Sequence, residues 1–75
     1  MKSIKTITVV EMADGEILGI TSFPKNKDGK RDAKIHMYDV IKENNPKMLD
    51  EEIELAVEEG SFYTSDYSAK IVEGE

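Results

Sequence analysis

The 75-residue chain contains no cysteine, so neither a disulfide nor a thiolate metal site can stabilise it. That usage fits a reducing compartment. It also lacks the run of about 18 apolar residues that a membrane helix needs. The opening "MKSIKTITVV" carries a lysine, but threonines break its apolar run and no small-residue cleavage site follows. A soluble, cytoplasmic protein without a membrane partner is expected. There is one histidine, no serine in a Gly-x-Ser-x-Gly setting and no glycine-rich phosphate loop. These gaps argue against an enzyme, and no cofactor is expected. The length permits one domain, 1–75, near the lower limit for a self-sufficient core, which buries only about 60% of the unfolded surface. A deep cleft does not fit in it, and self-association remains a source of further burial.

What the chain does have is charge, unevenly placed. Residues 1–47 carry nine Lys/Arg and seven Asp/Glu, or +2; residues 48–75 carry one lysine and nine acids, or −8, summing to the net −6. Such a chain is a poor direct binder of nucleic acid and a better match for a basic protein surface.

The expected fold class is α+β: β-β-α-α-β, a three-stranded antiparallel sheet packed against two helices. A hairpin over 3–23 turns at Asp14-Gly15, a pair that tolerates positive φ. A two-residue turn places Ala13 opposite Glu16, Met12 opposite Ile17, Val10 opposite Gly19 and Val9 opposite Ile20. Ile7, Val9, Leu18 and Ile20 then form the expected core face. The other face carries Val10, Met12, Ile17 and Phe23 among threonines. A one-residue slip would exchange the two roles. This outer face reads either as ordinary exposed β-branched residues or as a homodimer contact centred on Val10, Met12, Ile17 and Phe23.

Residues 24–31, "PKNKDGKR", read as a basic loop. Asn26-Lys27-Asp28-Gly29 fails as a calcium loop, because Pro24 occupies the first ligand position and Ile35 the last. A helix over about 32–44, N-capped by Asp32, places Ala33, Met37, Val40 and Ile41 on one stripe with Tyr38 at its edge. Ile35 falls outside that stripe, and a short strand over 33–37 is the alternative. Asn44-Asn45-Pro46 ends the element. His36 shares a face with Asp32, Asp39 and Glu43; a solvated surface histidine is the plain reading of this set, a metal or small-ligand site the sharper one. No metal site is assigned.

A second helix over 50–59 opens with acids that suit its dipole and closes at Gly60. Its core stripe is Leu49, Ile53, Ala56 and Val57. A strand over about 67–72 follows, entered by Phe62 and Tyr63. Within "LDEEIELAVEEGSFYTSD" there are seven carboxylates and no basic residue. Glu51 is explained by the helix start, but Glu58 and Glu59 sit at the end that repels negative charge. Glu51, Glu54, Leu55, Glu58, Glu59 and Asp66 are therefore the expected partner surface, with a solvated face as its plain counterpart.

"IKENNP", "DEEIELAVEEG" and "DYSAKIV" together resemble the short acidic proteins encoded by tailed bacteriophages. The resemblance covers about residues 33–72 and transfers no functional residue. It implies work in the cytoplasm of an infected host, often by binding or inhibiting a host protein, including nucleic-acid-handling proteins.

Overall fold

The computed structural model describes residues 5–73, forming β1 (Thr6–Ala13), β2 (Glu16–Pro24), α1 (Lys27–Asn44), α2 (Asp50–Glu59), β3 (Ser61–Tyr63) and β4 (Tyr67–Glu73). All strand pairs are antiparallel, in the order β2-β1-β4-β3. Both helices pack on one face, so the fold is α+β with four strands where three were expected. The added strand, β3, is three residues long and pairs only with β4. Residues 3 and 4 of the expected hairpin lie outside the described residues.

The first hairpin turns where its sequence directs. Asp14 and Gly15 have φ of 51° and 81°, as a tight hairpin turn requires. Ala13–Glu16 and Met12–Ile17 pair as expected. Beyond them the register shifts by one: Glu11 pairs with Gly19, Val10 with Ile20, Val9 with Thr21 and Ile7 with Phe23. This β-bulge at Leu18 confines the one-residue slip to β2. Ile7 and Val9 are buried as expected, but Leu18 and Ile20 are 55% and 60% exposed. Thr21 and Phe23 turn inward instead. A tie beneath the sheet accompanies the shift: the Tyr67 hydroxyl donates to Glu11 Oε1 at 3.0 Å. Gly19 leaves room for that carboxylate, since a Cβ there would lie 3.2 Å from Glu11 Oε2. Burial, then the Glu11 hydrogen bond, holds the Tyr67 phenol well above the usual tyrosine range.

α1 begins at Lys27, six residues earlier than the Asp32 cap implied. Asn26 is the N-cap, its side chain accepting from the Gly29 amide at 2.7 Å. The segment that reads as turn chemistry is thus the helix start. Gly29 is needed for a close approach: a Cβ there would sit 1.7 Å from the Pro24 carbonyl oxygen. Residues 33–37 are helical, not strand. At the far end the Asn45 amide and side chain both donate to Ile41 O.

α2 has the expected bounds. The Leu49 amide donates to Glu52 Oε1 at 3.3 Å, half of a capping box, and Gly60 closes the helix with φ of 80°. Leu49, placed in the core stripe by spacing, is 67% exposed at the cap. Met37, Ile41, Ile53 and Val9 are the largest fully buried side chains, and they join the two helices to the sheet.

Candidate functional site

A helix pair lying on a sheet leaves a seam along its solvent side. Here the seam is lined by Lys34, Ile35 and Tyr38 of α1 and by Glu51, Glu54, Leu55, Val57 and Glu58 of α2. The two helical residues that fall off their own core stripes meet in it. Ile35 is 52% exposed and Leu55 67%. Each is unaccounted for on its own helix, and together with Tyr38 they form an apolar floor.

The rim is acidic. Lys34 Nζ lies 3.7 Å from Glu58 Oε2 and Lys42 Nζ 3.0 Å from Asp50 Oδ1. Glu51 and Glu54 make no ion pair among the described residues. The nearby Tyr38 hydroxyl, and then Lys42, hold the Asp50 carboxyl below the usual carboxylate range; the Asp50 carboxylate in turn raises the Tyr38 phenol. The two ion pairs run from α1 to α2 across the seam and leave the Glu51 and Glu54 carboxylates without such a pair among the described residues.

Of the expected partner residues, the structure brings Glu51, Glu54, Leu55 and Glu58 together. Glu59 does not line the groove; it lies in an adjoining depression with Lys30, Gly60 and Ile71, which shares Lys34, Val57 and Glu58 with the groove. Asp66 is elsewhere: it occupies the turn before β4, where its carbonyl accepts from the Asp14 amide at 3.1 Å. Sequence reasoning missed Lys34, Ile35 and Tyr38 as groove residues. The signal was the pair of stray apolar positions, one per helix.

Among the expected homodimer residues, Val10, Met12 and Ile17 share the sheet's outer face. Phe23 does not, because the bulge turns it inward, where it packs against the core. His36 lies against Phe23, with ring centroids 5.8 Å apart, and its Nε2 is buried without a hydrogen-bond partner among the described residues. It is half-buried, so the solvated reading is corrected. Among the described residues no three His, Asp or Glu side chains gather at metal-binding distance. The basic segment is partly neutralised: Lys25 pairs with Glu73 at 2.9 Å, and Arg31 lies 3.8 Å from Asp28 and 3.7 Å from Asp32.

Among the described residues no helix is long and apolar enough to cross a membrane. Comparison with known proteins finds no matching family model, curated protein or solved structure.

Proposed function

We propose that the chain is a protein-interaction module whose α1–α2 groove receives a basic, amphipathic segment of a partner protein. The observation that carries this reading is the meeting of Ile35, Tyr38 and Leu55 inside a rim of Glu51, Glu54 and Glu58. An apolar floor anchors a partner's hydrophobic side chains. An acidic rim accelerates encounter and rejects acidic competitors. A floor without the rim would not select charge, and a solvated acidic face would not need the floor. Nucleic-acid-handling proteins present basic surfaces of this kind. A chain seated on one would block it, so the contact reads as inhibitory, in keeping with the resemblance to small phage proteins.

The test is an amide-shift titration with a synthetic Lys/Leu amphipathic helix, using a Glu/Leu helix as control. The basic helix is expected to shift amides in 34–38 and 51–58, with affinity falling as salt rises. The double substitution Glu51→Lys/Glu54→Lys should abolish that binding. Shifts mapping elsewhere, or an affinity indifferent to the reversal, would refute the reading.

A further inference from the structure

The face of the sheet opposite the helices is bare. Its outward apolar positions follow from the register: Val10 and Met12 on β1, Ile17 and Ile20 on β2, Val72 on β4 and Tyr63 on β3, interleaved with hydroxyls such as the Thr8–Ser22 pair. Ile17, Ile20, Val72 and Tyr63 are 59%, 60%, 43% and 81% exposed, and Leu18 in the bulge is 55% exposed. Tyr63 carries roughly 150–250 Å² and the aliphatic side chains less, so the four that the register places on this face present on the order of 400 Å² of accessible surface. With their half-buried neighbours the face approaches the ~800 Å² per partner that a stable interface buries. We propose that this face is covered by a second copy of the chain, the two sheets stacking face to face.

Charge decides the occupant. Lys70 is the one charged side chain among the outward strand positions of the described residues, so the face offers a charged partner almost nothing to pair with. For another copy this neutrality is what matters. A chain of net charge −6 repels itself wherever its acidic helix meets another. Stacked through the sheets, with about 10 Å between them and a helix layer behind each, the acidic surfaces stand roughly 30 Å apart. That exceeds the screening length of about 8 Å at physiological salt. Lys70 reaches solvent along its own stem at the rim.

Edge-to-edge pairing is the less suitable route. β2 is interrupted by its bulge and ends at Pro24, and β3 has three residues, both devices that blunt an edge. Stacking also adds burial to a short chain without cysteine, whose own core is near the lower limit of size.

The test is sedimentation velocity on the full chain from low to high micromolar concentration, with circular dichroism as a fold check. The wild type is expected to move towards twice the monomer mass, unchanged or strengthened as salt rises to about 1 M. Ile17→Lys/Ile20→Lys should stay monomeric with an unchanged spectrum. Should those lysines unfold the chain, Ile20→Thr keeps the β-branch and should weaken association at least several-fold. Glu51→Lys/Glu54→Lys should leave association untouched, which separates this contact from the groove. A wild type monomeric throughout overturns the proposal, and points to a foreign partner if the face is covered at all. Association dissolved by salt or by the groove reversal overturns it too, because the contact then belongs to the acidic helices.

Discussion

The groove between α1 and α2 and the outer face of the sheet expose apolar side chains to similar degrees. Ile35 and Leu55 are 52% and 67% exposed on the first; Ile17 and Ile20 are 59% and 60% exposed on the second. What differs is their surroundings. The groove is ringed by carboxylates, two of them without an ion pair among the described residues, whereas the sheet face carries a single lysine. Equal exposure therefore implies unequal selectivity. On the proposed readings, contacts at the groove would weaken with salt and discriminate by charge, and contacts at the sheet face would persist in salt and discriminate by shape. Exposed apolar area alone would not have separated them.

The two surfaces are carried by different elements around one core, which gives the largest expected effect. Ile53 is fully buried on α2, beneath the groove, while the outer face belongs to the sheet. Ile53→Ala is expected to cost about 2–5 kcal/mol. Hydrogen exchange should show α2 amides losing more protection than those of β1, and the groove should stop binding the Lys/Leu helix first. Equal loss in α2 and β1 would break the comparison, since both surfaces would then stand on one cooperative unit.

Gly29→Ala comes next. The added methyl would overlap the Pro24 carbonyl oxygen, so the first turn of α1 must lift away from β2. A loss of about 1–3 kcal/mol is expected in chemical denaturation, and a neutral result would mean that the helix start is free to shift. The outer face should keep its self-association, because α1 packs on the other side.

How much of this was legible in the sequence varies by element. The bounds of α2 came out because both ends carry local signals, the acids of its first turn and Gly60 in the left-handed conformation. The start of α1 did not, because Asn26 and Asp32 are both competent caps and Pro24, Asn26 and Gly29 also spell a turn. The Asn26 bond to Gly29 decides it. β3 is too short to show alternation. The bulge at Leu18 is a property of strand pairing, and no periodicity within β2 alone reveals it; it moved Leu18, Ile20 and Phe23 to the wrong faces. The groove was half legible. Leu55 and Ile35 each stood off their stripes, but only the packing of α1 on α2 brings them together.

The tie between Tyr67 and Glu11 lies under the sheet at the shifted register, so it reports on the outer face from behind. Tyr67→Phe leaves the half-buried Glu11 carboxylate without its donor and should cost about 1–2 kcal/mol at neutral pH. The folded phenol ionises at higher pH than the unfolded one. Its contribution is therefore complete below the ordinary tyrosine range near 10 and is lost as pH rises through and beyond it. The wild type's advantage over Tyr67→Phe should be constant from pH 7 to about 9 and shrink above 10 in denaturant titrations. An advantage that grows in alkali would contradict the hydrogen bond.

The smallest effect sharpens the comparison most. Glu59 sits in the last turn of α2, where no basic residue offsets the helix dipole, and it lies outside the groove. Glu59→Gln should stabilise the chain by about 0.3–1 kcal/mol at low salt, a gain that fades as salt rises. Its affinity for the Lys/Leu helix should match the wild type, while Glu54→Gln, one charge fewer inside the rim, should bind measurably more weakly. Two variants of identical net charge would then differ only by where the charge stood. If they weaken binding equally, the acids act as a diffuse field over the whole helix face. In that case the contrast between groove and sheet is one of overall charge, not of built sites.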